Sequence, residues 1–151
     1  MKNTPKGWPR ICSAIFYDDA AGAIDWLCRA FGFKVRLKVE GDKGRIEHSE
    51  LVFGEGVVMV GSSANGQSKL PFKANFRSPQ SLKGANTQNM MVYVDDADAH
   101  CARAKAAGAQ IFMEPAVHDY GEDHWADRSY GAVDPEGHHW WFTQRLRDPK
   151  H

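Results

Sequence analysis

A chain of 151 residues with 42% hydrophobic content allows one compact domain or two small modules sharing a core, and a domain of this size buries roughly 70% of its unfolded surface without disulfide staples. Nineteen basic residues balance nineteen acidic ones with their signs interspersed, which leaves no dedicated field for phosphate backbones or anionic lipid, so no nucleic acid and no membrane is expected as a partner. Met1–Arg10 lacks the apolar core of a secretory leader, no run approaches the ~20 apolar residues of a spanning helix, and Cys12, Cys28 and Cys101 are odd in number and widely spaced, so a cytoplasmic protein with reduced thiols is expected.

In chain order, Trp8-Pro9 precedes the first strand and reads as an arm laid on a neighbouring subunit. Ile11 to Tyr17 alternates and is β-prone, and Asp18-Asp19 then offers a short carboxylate to cap a helix. Within Ala20 to Phe31, Ile24, Leu27, Cys28 and Phe31 recur at i, i+3, i+4 and i+7, one apolar stripe that stops at Gly32. Trp26 lies off that stripe, as partial core cover or as a subunit contact. Strands follow at Lys34 to Glu40, Arg45 to Phe53 and Val57 to Gly61, separated by Gly-rich turns. The polar stretch 62–86, with Pro71 and Pro79, reads as a connector.

The pattern then returns. Ile15-Phe16-Tyr17-Asp18-Asp19-Ala20-Ala21 reappears as Val92-Tyr93-Val94-Asp95-Asp96-Ala97-Asp98, leading into a weaker helix with Ala97, Cys101 and Ala104 on one side and Gly108 as its stop. Strands are expected at Gln110 to Met113, Asp127 to Val133 and His138 to Gln144, with turns at His118 to Glu122 and Asp134-Pro135-Glu136-Gly137. The fold class is α+β, two β-α-β-β-β modules at 8–61 and 87–146 joined by the connector, and any binding site is sought where the copies face each other.

Two such units resemble the vicinal oxygen chelate superfamily, in its glyoxalase/bleomycin-resistance-like branch. The resemblance is carried by Tyr17-Asp18-Asp19-Ala20-Ala21-Gly22-Ala23-Ile24 with Ala30-Phe31-Gly32-Phe33, Gly44-Arg45-Ile46-Glu47-His48-Ser49-Glu50-Leu51, Val92-Tyr93-Val94-Asp95-Asp96 with Ala107-Gly108-Ala109, and Asp134-Pro135-Glu136-Gly137-His138-His139-Trp140. It implies a curved mixed sheet around a concave crevice, with the helices outside. It also implies where metal-dependent members hold their ion, on a His, Gln or Glu from the first and last strand of each module. The matching positions here are Cys12, Met59, Asn89 and Trp141. None carries a usual ligand, and a thiol, a thioether, an amide and an indole do not converge as hard or borderline donors on a divalent ion. No metal and no cofactor is therefore expected.

Alternation along the strands sends Asn89, Met91 and Tyr93 to the cavity and Met90, Val92 and Val94 to the core. It splits the Trp140-Trp141 pair, Trp140 going with Phe142 to the core and Trp141 with His139 and Thr143 to the cavity. His48 and Glu50 share a face opposite Ser49, Leu51 and Phe53, as an acid/base pair or as partners satisfying each other. Tyr120, Trp125 and Tyr130 with Arg128 are expected as a lid or wall, with Arg128 binding a ligand anion or pairing with Asp127. His118, Glu122 and His124 would meet on zinc only if their loop folds back, and otherwise form a solvated polar loop. Cys12 reads first as a small buried residue and second as a nucleophile or soft-metal ligand, and Met59, Met90 and Met91 as adaptable packing.

The expected protein is a homodimer binding a small, planar or aromatic molecule in a metal-free crevice. Trp141, Tyr93, Trp125 and Tyr130 grip the ligand and Arg128, His48 and Glu50 orient it, with Asn89, Met91, His139, Met59 and Cys12 on the same wall. The alternative is an enzyme, a lyase, isomerase or dioxygenase, using a relocated metal or the His48–Glu50 pair.

Overall fold

Asp19 and Gly32 bracket the first helix, α1 (Ala20–Phe31). The Asp19 carboxylate accepts the Gly22 N–H at 3.0 Å, a cap contributing about 1 kcal/mol, and Gly32 turns left-handed at φ 84° with its N–H on the Cys28 carbonyl. Between these signals the helix buries Ile24, Leu27 and Phe31, the expected stripe. It also buries Trp26, whose ring meets that of Phe31 edge-on at 4.8 Å. Trp26 therefore belongs to the core of its own chain.

The structure is a computed structural model describing residues 1–65 and 69–150, so residues 66–68 of the connector lie outside the described residues. It divides into two compact units, Met1–Ala85 and Asn86–His151. In the first, β1 (Ser13–Tyr17), β2 (Lys34–Glu40), β3 (Ile46–Phe53) and β4 (Gly56–Ser62) form a sheet in the order β1-β4-β3-β2, with β1 parallel to β4 and the other pairs antiparallel. Alternation sends Ile15, Tyr17, Leu51, Val58 and Val60 under α1, where all are buried. Each large aliphatic or aromatic group so buried contributes about 1.5–3 kcal/mol. Residues 63–65 and 69–85 belong to this unit: the Ser63 hydroxyl donates to Asp18 at 2.5 Å, and the Ala64 N–H donates to the Phe76 carbonyl at 3.0 Å. The N-terminal arm also lies on its own chain, with the Arg36 guanidinium 4.4 Å from the Trp8 ring centroid and donating to the Gly7 carbonyl.

The second unit repeats the plan with β5 (Asn89–Tyr93), α2 (Ala97–Ala106), β6 (Gln110–Asp119), β7 (Ala126–Val133) and β8 (His139–Arg147), ordered β5-β8-β7-β6. Asp96 caps α2 by accepting the Ala99 N–H at 2.9 Å, and Gln144 of β8 accepts the Ala97 N–H at 3.1 Å. β6 runs six residues beyond the expected Met113, because register shifts on either side of Met113 carry the ladder past Pro115 on this edge strand, where a missing N–H is tolerated. Likewise β7 begins at Ala126, so only 120–125 remains of the expected lid. The core here is filled from the sheet, by Tyr130, Trp140 and Phe142 against Ala97, Cys101 and Ala104. Trp140 Nε1 donates to Asp134 at 3.0 Å, and the other oxygen of that carboxylate accepts the N–H groups of Glu136 and His138, which fixes the turn into β8. No described helix is long and apolar enough to cross a membrane.

Candidate functional site

Each sheet has one face under its helix and one face open. On the open face of the first unit, β1 presents Ala14 and Phe16, and β4 presents Met59 and Gly61 in register with them. The segment after β4 covers these residues: the Phe76 ring stacks on Phe16 at 4.5 Å and 20°, with Phe72 edge-on to Phe76 at 6.1 Å. Ala14, Phe16, Met59 and Phe76, together with Ile46, His48 and Leu70, line a cavity of about 610 Å³, within the size range of small-molecule sites. Its polar rim is formed by Asp42, Arg45, Glu47, Lys69 and Lys73. The aromatic clamp escaped sequence reading because a stretch rich in Ser, Asn and Gly reads as linker, although Leu70, Phe72 and Phe76 were its signal.

His48 and Glu50 do share this face. His48 Nε2 lies 3.2 Å from Glu50 Oε1, and Arg36 Nε donates to Glu50 Oε2 at 2.8 Å. The Glu50 carboxyl is held below its ordinary range, first by the hydrogen bond with His48 and then by Arg36, against an opposing push from burial. An ionised Glu50 can only accept, so the His48 Nε2–H donates to it and the carboxylate orients the imidazole ring. The His48 side chain is 40% exposed and borders the cavity, whereas that of Glu50 is 11% exposed and sits behind it. Cys12 stands just before β1, half-buried, its thiol 3.7 Å from the Pro9 carbonyl and outside the cavity wall. Burial raises the thiol pKa of Cys28 and Cys101, which disfavours thiolate chemistry at both.

On the open face of the second unit, Asn89 pairs with His139, Met91 with Trp141 and Tyr93 with Thr143. Phe112 lies over this face, stacked on His139 at 5.0 Å and edge-on to Trp141 at 5.1 Å. It reaches there because Gly131 has no side chain: a Cβ at that position would stand 2.2 Å from the Phe112 ring. Arg145 joins the group, donating to the Tyr93 hydroxyl at 2.8 Å and to Asp127 at 2.6 Å, with Trp125 6.0 Å from its guanidinium.

Two expected site residues of this unit, Tyr130 and Arg128, lie elsewhere, as Cys12 does in the first. Tyr130 is 0% exposed, its hydroxyl 2.6 Å from His100 Nδ1 and its ring stacked on Phe142 at 5.2 Å, and burial pushes the phenol pKa up. Arg128 shares its parity along β7 and points to the helix side, where its guanidinium grips Asp98 with two hydrogen bonds of 2.7 Å. Both residues lie in the expected strand Asp127 to Val133, and its alternation, rather than the aromatic and charged composition of 120–131, decides which way they face. Counting by twos from the buried Trp140 and Phe142 places Arg145, not Arg128, on the open face.

The four seats at which metal-bearing relatives hold their ion do not fit one. Cys12 is turned to a backbone carbonyl, Met59 forms apolar cavity wall, Asn89 supplies a neutral amide, and the Trp141 indole offers an N–H but no metal-binding lone pair. Nor do His118, Glu122 and His124 converge: among the described residues no group of three or more His, Cys, Asp and Glu is arranged to hold a metal ion.

Two β-α-β-β-β modules, each with its first strand parallel to its last and one sheet face open, define the class as a paired-module α+β protein. The sequence model of the Glyoxalase/Bleomycin resistance protein/Dioxygenase superfamily matches residues 11–142, and the chain belongs to that superfamily. An uncharacterized protein of Mycobacterium bovis is 34% identical over 143 residues, 93% of this chain and 86% of its own length. Among solved structures, TioX from Micromonospora sp. ML1 is 32% identical with a TM-score of 0.66, covering 91% of this chain and 99% of TioX. A superfamily member from Sphaerobacter thermophilus is 17% identical with a TM-score of 0.64, covering 88% of this chain and 94% of its own, and shows the fold alone.

Proposed function

We propose that the protein binds a small, planar or aromatic organic molecule without help from a metal ion. The observation that carries this reading is the cavity of about 610 Å³ in the first unit, with the stacked Phe16 and Phe76 rings and the adaptable Met59 side chain on its wall. The open face of the second unit, with Asn89, Met91, Tyr93, Trp125, His139 and Trp141, adds a second aromatic surface of the same chemistry. Calorimetry with a panel of fused-ring compounds tests it. A ligand held at 100 times its dissociation constant stabilises the native state by about 2.7 kcal/mol, so a clear rise in Tm accompanies binding. Phe16→Ala is expected to abolish both signals, and both should persist in chelator. One tightly held ion per chain, whose removal ends binding, would overturn the metal-free reading.

A second reading is favoured by the His48–Glu50 hydrogen bond beside that cavity: an enzyme in which His48 moves a proton on the bound molecule while Glu50 orients it. Its signature is exchange of a ligand C–H with deuterated solvent that His48→Gln stops while binding survives. We also take the protein to act as a cytoplasmic homodimer. Its cysteines are free thiols, and the edge strand β2 exposes Val35, Leu37 and Val39, apolar surface available to a second copy. Light scattering should return twice the 16.9 kDa chain mass, and a monomer would reject the dimer.

A further inference from the structure

We propose that the molecule bound in the first unit's cavity carries an anionic substituent, such as a carboxylate, sulfonate or phosphate, at the edge of its aromatic ring. The inference rests on reading that cavity as a ligand site and adds the charge of the ligand. Five ionisable side chains besides His48 line the cavity, Asp42, Arg45, Glu47, Lys69 and Lys73, and they are not equivalent. Arg45 and Glu47 offset each other, with Arg45 Nε 3.5 Å from the Glu47 carboxylate and a second guanidinium nitrogen donating to the Ser63 carbonyl at 3.2 Å. Two ammonium groups then stand against one carboxylate, Asp42. Among the described residues, neither Lys69 nor Lys73 has an ion-pair partner.

Position adds to the charge count. Lys73 lies in the 3-10 turn Pro71–Asn75 and Lys69 just before it, on the same covering segment that carries Phe76 onto Phe16. One segment therefore supplies both a ring for stacking and ammonium groups for an anion. A flat hydrocarbon would use the first and leave the second idle. A cation would meet two lysines for each unpaired carboxylate, so the cavity selects against it.

A matched pair of probes tests the charge alone. Naphthalene-2-carboxylate and naphthalene-2-carboxamide share a ring system and differ in charge, and both are titrated calorimetrically at low salt into the wild-type protein, the K69Q/K73Q double variant and the F16A variant. The carboxylate is expected to bind the wild type about fivefold more tightly than the amide, a ratio in keeping with two partly solvated charges, and to lose that advantage as salt is raised. The double variant should bind both compounds alike, at the affinity of the amide. Equal binding of the two by the wild type, lost in F16A, would overturn the anion preference and leave the cavity as a ligand site. A carboxylate preference that survives in the double variant would overturn the role of the lysines. Failure of both probes to bind, or binding indifferent to F16A, would overturn the cavity reading together with this one.

Discussion

The two units share one topology and divide the work of filling it in opposite ways. In the first, most of the bulk comes from the helix: Ile24, Trp26, Leu27 and Phe31 press down on a sheet face of aliphatic residues and Tyr17. In the second, the helix offers alanines and Cys101, and bulk comes up from the sheet as Tyr130, Trp140 and Phe142. The open faces differ too. The first is covered by residues of its own unit and holds a cavity, while Met91 and Tyr93 of the second are at least half exposed. A duplicated fold thus conserves strand order and the placement of the capping aspartate, while side-chain volume moves freely between layers, because close packing constrains their sum and not its division.

Four measurements sharpen or break this comparison. Trp140→Ala should produce the largest effect, about 3–5 kcal/mol lost in denaturant unfolding, because it empties the sheet-side core and leaves Asp134 short of a donor. A loss below about 1 kcal/mol would show that α2 carries more of the packing than the sheet does. Ala104→Leu should cost about 1–3 kcal/mol by overpacking a helix whose partner sheet already fills the space, and a stabilised variant would mean a void lies there.

The third measurement is a pH profile of Asp18, which the first unit uses differently from its counterpart. The second carboxylate of each pair, Asp19 or Asp96, caps its helix, but Asp18 accepts from Ser63 on the covering segment. Burial works to raise the Asp18 pKa, but hydrogen bonds from Ser63, Ser78 and Asn65 and the charge of Arg77 bring it below its ordinary 3.8. A depressed folded pKa means stability that is fully present above 3.8 and lost as pH falls through the folded value. Wild type and Asp18→Asn should therefore differ in Tm at neutral pH and converge in acid below that point. A constant difference would remove the carboxylate from this role. The smallest effect is expected of Arg128→Gln, which breaks a solvent-facing pair with Asp98 on the helix side and should leave ligand titrations unchanged. A lost ligand would restore Arg128 to the site.

Much of this fold was legible in the chain. α1 and β2 fall at the expected residues because apolar period, cap and glycine stop agree there. β6 runs past the expected Met113 because an edge strand absorbs Pro115 in a register shift that no apolar period announces. Parity placed His48, Glu50, Asn89, Met91, Tyr93, His139 and Trp141 on their open faces, since alternation is local information. It went unused at Tyr130 and Arg128, which lie inside the expected strand Asp127 to Val133 but were given a wall role on composition, while their shared parity turns both to the helix side. The apolar Phe76 was in view but its partner was not: its stacking on Phe16 joins residues far apart in sequence, and no periodicity encodes such a meeting.

One guanidinium ties the chain's leading residues to the cavity histidine. Arg36 holds the Gly7 carbonyl and the Trp8 ring on one side and Glu50 on the other, and Glu50 in turn aims His48. An affinity tag fused ahead of Met1 would tug on that relay, so a handle at the opposite terminus is the better choice for biochemistry.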